Sequence, residues 1–162
     1  MNKTLPDRYG PVQWLPVRGD LRLAYGLLRL TLGVNMLLHG LVRIVGGVEV
    51  FAAGMTRQFA ETLLPAALVQ TFGTVLPFIE LVIGVLLVFG AFTRATLVAG
   101  GALMIALVFG TALRSEWGTV GGQMLYALIY AVLLALVHTD AYSVDAFRQR
   151  RRERDTPSRF PW

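Results

Sequence analysis

Residues 95–113 read ATLVAGGALMIALVFGTAL, nineteen residues without one charged side chain. As a helix this stretch would be about 28 Å long, close to the ~30 Å hydrocarbon core of a bilayer. Working outward, Arg94 directly precedes it, and before Arg94 lies a second apolar block from about Phe72 to Phe92. A first block runs from about Leu23 to Val45, and a fourth follows from about Val120 to Val137. Each approaches the ~20 residues a membrane-crossing helix needs. Glycine recurs inside the blocks, which membrane helices tolerate better than soluble ones. The spacing predicts an all-α membrane protein, a four-transmembrane-helix bundle. Composition agrees: 55% of the 162 residues are hydrophobic and 15% are charged, with a mean hydropathy of +0.59. A soluble domain of this length would carry more charge. The length suits one compact unit.

Cysteine is absent. That excludes disulfides, thiolate metal sites, iron–sulfur clusters and dithiol exchange with a quinone. Redox chemistry would need a bound molecule or a partner chain. The formal charge of +5 comes from arginines gathered near the two termini, a topology signal and not a nucleic-acid surface. The first twenty residues are too polar and irregular for a cleavable signal peptide, so the first apolar block is expected to act as an uncleaved anchor.

Charge also sets the expected orientation. Lys3, Arg8, Arg18 and Arg22 precede the first helix, Arg94 sits between the second and third, and Arg148, Arg150, Arg151, Arg152, Arg154 and Arg159 follow the fourth. With four crossings these all fall on one side, expected to be the cytoplasm of a bacterial-type inner membrane. The other side holds the nearly balanced set Glu49, Arg57, Glu61, Arg114 and Glu116. The expected organisation is a cytoplasmic N-terminal segment over 1–20, a four-helix membrane domain over 21–145 and a basic cytoplasmic tail over 146–162. The tail's arginines suit a topology anchor, an anionic-lipid contact or a docking segment.

Between the first two blocks, Phe51, Met55, Phe59, Leu63 and Leu64 recur at helical spacing, with Arg57 and Glu61 as an i,i+4 pair on another face. This predicts a short amphipathic helix on the outer interface, ended by Pro65. Pro77 is expected to kink or break the start of the second spanning helix. Ala102, Ala106 and Gly110 form a small-xxx-small row on the third. Either packing within the bundle or a homo-oligomer face accounts for it.

The chemistry lies in the polar residues at membrane depth. The first helix carries Arg29, Asn35, His39 and Arg43. At ~100° per residue, Arg29, Met36, Gly40 and Arg43 share one stripe, with His39 beside them. Glu80 is on the antiparallel second helix. His39 and Glu80 come out about 9 and 12 Å below the outer ends of their helices. Gln123 and Tyr126 occupy the first turns of the fourth helix. His39, Arg43, Glu80, Gln123 and Tyr126 can therefore converge in the outer half of the bundle, where Gly40 and Gly84 would leave room for a ring or small anion. A buried Glu–Arg pair can equally be glue between helices. Against that, a charge at membrane depth costs ~2.5–3.5 kcal/mol, and small residues could hold four helices without it. Arg29 lies deeper, near the level of Asp140 or Asp145, as for a structural ion pair. His138 reads as an interfacial residue. Haem is not expected, because His39 and His138 lie near opposite faces, and no metal-ligand spacing appears elsewhere.

These residues bear a family resemblance. Arg29, Gly33 and the run Leu38-His39-Gly40-Leu41-Val42-Arg43 are similar to the first-helix pattern of the DoxX/DoxD-like membrane proteins. Leu64-Pro65, then Glu80, Gly84, Gly90 and Thr93-Arg94, then Ala141-Tyr142-Ser143-Val144-Asp145 continue it in order. Arg43 stands where the family often has lysine. The resemblance implies a four-helix bundle and an activity in thiosulfate:quinone oxidoreduction with a second subunit. A quinone-linked subunit would use His39 to hydrogen-bond a quinone carbonyl and Glu80 to take or relay the proton. Arg43 would stabilise negative charge on the ring or hold an oxyanion such as thiosulfate, with Gln123 and Tyr126 completing the binding site. The rival is a non-catalytic accessory or assembly subunit of a larger membrane complex. A small transporter or proton path fits less well, since there is no internal repeat.

Overall fold

The computed structural model describes residues 18–155, so Lys3, Arg8 and Arg159 lie outside the described residues. Four long helices form the bundle: α1 (Arg18–Val45), α3 (Ala66–Phe89), α4 (Thr93–Leu113) and α5 (Trp117–Ala135). A short α2 (Val48–Gln58) joins α1 to α3, and α6 (Val144–Asp155) follows α5 after a single 3₁₀ turn. All four long helices have the length and apolar composition of membrane spans. Their outward faces are apolar too: Ile105, Phe109, Leu128 and Val82 are exposed. In water such a surface would be an aggregation hazard, and in hydrocarbon it is the solvated face. The chain is an integral membrane protein.

The bundle is built from two close pairs, α1 with α3 and α4 with α5. The first pair is a glycine seam. A methyl group placed at Gly40 would sit 2.6 Å from the Leu81 nitrogen, and one at Gly33 would sit 2.8 Å from that of Val88. At Gly84 it would be 2.7 Å from Leu37 Cβ. These glycines let two backbones approach, as small residues do in membrane helices. They do not open room beside Glu80, as the sequence suggested. In the second pair Gly100 makes space for the buried Tyr130 ring. The Ala102–Ala106–Gly110 row points elsewhere. Ala102 and Ala106 are exposed, and Gly110 faces the Phe59 ring. Leu32, Met36, Leu76, Ile83, Leu87, Leu97 and Leu133 fill the centre.

The connection between α1 and α3 differs from expectation at its end. α2 stops at Gln58, and Pro65 is the N-cap of α3. Proline lacks the N–H that a helix start leaves unpaired anyway, so it costs nothing there. Arg57 and Glu61 thus do not share a helix. α2 does more than rest on an interface: Ala52 is fully buried, and it lies against Gly73 of α3. Pro77 sits in the middle of α3, which runs through it.

At the end where α1 begins and α6 follows α5, a clasp closes the bundle. Gly90 ends α3 in the left-handed conformation at φ 63°, and a Cβ there would strike Ser143 and the Arg29 guanidinium. Buried Arg29 donates to the Leu87 carbonyl, to that of Val88 at 3.2 Å and to that of Tyr142 at 2.8 Å. A cation on the last carbonyls of a helix meets the negative end of its dipole. Of the two acids expected near Arg29, Asp140 takes the place, 3.8 Å from Nε. Asp145 instead accepts the backbone N–H groups of Phe92 at 3.1 Å and Thr93 at 2.7 Å, capping α4. α6 occupies the stretch expected as a basic tail. Its signals were present: Ser143 Oγ accepts from the Ala146 N–H at 3.0 Å, and arginines fill the last turn.

Candidate functional site

The opposite half of the bundle holds a cavity of about 340 Å³. α1 supplies Asn35, Met36, His39 and Arg43, which share a face because they fall at helical intervals. α3 supplies Glu80, α4 supplies Met104 and Leu107, and α5 supplies Thr119, Gly122, Gln123 and Tyr126. All five residues singled out by the sequence line this one space. α3 begins six residues earlier than the sequence suggested, so Glu80 lies deeper in its helix. The extra turns of α3 carry α2, and Glu80 still comes level with Arg43.

Arg43 donates to Glu80 Oε2 and lies over the Phe51 ring, 4.6 Å from its centroid. One guanidinium therefore ties α1, α2 and α3 together, as glue would. The Glu80 side chain is only 4% exposed and that of Arg43 is 25% exposed, so the pair forms one wall of the cavity without filling it. Gln123 Nε2 donates to Thr111 Oγ1 at 2.9 Å. Its Oε1 is buried and has no hydrogen-bond partner. Buried acceptors are rarely left so, and one beside a cavity marks where a donor belongs. His39, Thr119 and Gly122 are exposed, so the cavity opens along the seam between α1 and α5, two helices that touch little. Asn35 and Thr111 belong to this site, yet the sequence reading gave neither a role there. Asn35 could have been found, since it lies one turn before His39. Thr111 could not, because its tie to Gln123 crosses two helices. Arg29 stands apart, fourteen residues and about 21 Å along α1 from Arg43. Among the described residues no group of three or more His, Asp or Glu is placed to hold a metal.

A lipid-embedded bundle with a polar cavity open to its side defines the class, a four-helix integral membrane protein with a candidate small-molecule site. The family model for DoxX matches residues 24–113, more than half the chain, and the chain belongs to the DoxX family. The match carries His39, Arg43 and Glu80, while Gln123 and Tyr126 lie beyond it. No curated protein and no solved structure matches the chain.

Proposed function

We propose that the cavity binds the head group of a quinone and that the protein is a quinone-linked redox subunit of the membrane. The observation that carries this reading is the cavity itself. It has about 340 Å³, lies at membrane depth, opens sideways and is lined by His39, Arg43, Glu80, Gln123 and Tyr126. Its volume falls in the ~300–1,000 Å³ of ligand pockets. The Arg43 charge is already matched by Glu80, which favours a neutral ring over a free oxyanion such as thiosulfate. The unpartnered Gln123 Oε1 fits a ring hydroxyl. A bound quinone would supply two-electron, two-proton chemistry. His39 donates to a ring oxygen, Glu80 holds or passes the proton at its carboxylate, and Arg43 steadies the ionised form of that carboxylate. With no cysteine in the chain, oxidation of a donor such as thiosulfate would fall to a partner subunit. The orientation proposed is cytoplasmic termini in an inner membrane. Arg22, Arg94 and the α6 arginines support it, against the balanced charges at the α2 end.

The test uses the full chain purified in mild detergent and a short-tailed quinone analogue. His39→Ala should weaken binding about tenfold, the value of one good hydrogen bond, with little change in melting temperature; Gln123→Ala should weaken it likewise and also lower stability, because buried Thr111 loses its partner. Glu80→Gln is a poorer probe, because it also strands Arg43. Loss of stability with unchanged quinone affinity would overturn the proposal. A second reading, an accessory subunit seated in a larger complex, is favoured by one observation. The exposed Ala106 borders an apolar groove of about 230 Å³ between α2, α3 and α4. Mass spectrometry of co-purifying chains and quinones separates the two.

A further inference from the structure

We propose that the groove between the end of α3 and α6 is a binding site for one anionic phospholipid. The groove has about 470 Å³. It is lined by Val88 and Phe89 at the end of a membrane span, by Val144 and Phe147 of α6 and by Arg150. The groove thus brings together what a phospholipid needs, apolar side chains for acyl chains and a cation for a phosphate.

Two further observations point to the same ligand. Phe89, Tyr142 and Phe147 are 62%, 63% and 68% exposed, and with Phe92 they ring this end of the bundle. Aromatic side chains settle at the boundary between hydrocarbon and head groups. Three arginines of α6 also share a face with its two apolar groove residues. At ~100° per residue, Val144, Phe147, Arg150, Arg151 and Arg154 fall within about 120° of one another. Two acids flank that face, Glu153 one turn beyond Arg150 and Asp155 one turn beyond Arg151. Glu153 is engaged by Gln149, which donates to it at 3.2 Å, and Asp145 is turned to the α4 cap. Arg150 makes one long bond, 3.3 Å to the Ala141 carbonyl, and keeps other N–H donors for a phosphate. A guanidinium fork matches phosphate oxygens well. The acyl chains lie on Val88, Phe89 and Phe147, and Arg150 takes the phosphodiester with Arg151 and Arg154 beside it.

The experiment is native mass spectrometry of the full chain in detergent. It is titrated with phosphatidylglycerol, with phosphatidylcholine of the same acyl chains, and with inorganic phosphate as competitor. Phosphatidylglycerol should be retained in preference, and excess phosphate should not displace it. Arg150→Gln should reduce phosphatidylglycerol binding about fivefold, the worth of one arginine at an anionic surface, and reduce phosphatidylcholine binding less, because the choline cation already offsets that lipid's phosphate. Arg148→Gln removes the same charge from the other face, where Arg148 lies over Phe92, and should do neither. Phe147→Ala should weaken both lipids alike. Equal losses from the two arginine variants would mean diffuse charge and overturn the site. So would equal retention of the two lipids, or displacement by phosphate.

Discussion

Gly84→Ala is the most discriminating change for the packing of this bundle. The added carbon would lie 2.7 Å from Leu37 Cβ and closer still to the Leu37 backbone. Carbon atoms in contact normally sit ~3.5–4.0 Å apart, so α1 must retreat by about 1 Å. Backbone cannot rotate away as a side chain can, and overpacking of this kind costs ~1–3 kcal/mol. Alanine's better helix propensity offsets ~0.5–1 kcal/mol of that. Gly101 supplies the control, because a methyl group there meets nothing within 4 Å. Gly101→Ala should therefore be neutral or gain up to ~1 kcal/mol. The assay is reversible unfolding of the purified protein in mixed micelles, followed by helical circular dichroism. Glu80 lies one turn from Gly84, so the retreat of α1 should also loosen the Arg43–Glu80 pair. If Gly84→Ala proves as stable as Gly101→Ala, the α1–α3 seam is not the close crossing described.

Three other outcomes are expected. Asp145→Ala should lower stability by about 1–2 kcal/mol in the same assay, because two N–H groups at the start of α4 lose their acceptor; an unchanged value would mean that water replaces the carboxylate. Ala106→Leu should leave stability within about 0.5 kcal/mol, since the residue is exposed, whereas a loss of ~1–3 kcal/mol would reveal another chain covering it. Reporter fusions at the C-terminus and in the α4–α5 turn should report opposite sides of the membrane, the C-terminus cytoplasmic. A periplasmic C-terminus would reverse the proposed orientation.

The spans were legible because runs such as Ala95–Leu113 have no other stable place than hydrocarbon. The convergence of His39, Arg43, Glu80, Gln123 and Tyr126 was legible because few polar residues occur at that depth and helix geometry fixes their faces. Spacing failed where it names a face but not a neighbour. Gly40 and Gly84 could have opened a cavity or admitted a backbone, and only the pairing of α1 with α3 decides between these. The Ala102–Ala106 row met the same ambiguity, sharpened because lipid is as apolar as a helix partner. Pro65 was assigned to the end of one helix when it begins the next. A proline between two helices fits both positions by local chemistry. The Arg29 and Asp145 roles were hidden because their partners are mostly backbone groups, which a string of side chains does not display.

The clasp has a consequence for how the protein is made. Arg29 enters the membrane with the first helix, yet one of its acceptors, the Tyr142 carbonyl, and the cap on α4, Asp145, are synthesised more than a hundred residues later. At ~5–20 residues per second, a ribosome needs a few seconds to pass from Leu113 to Asp145. During that interval α3 and α4 are joined by a turn whose Phe92, at φ 50°, lacks the carboxylate that holds it. A chain interrupted before residue 140 would carry every side chain from α1, α3 and α5 that lines the cavity and still lack the fastening that sets its helices in register. The joint therefore closes only once residues 140–145 have been made, whatever the order in which the spans enter the membrane.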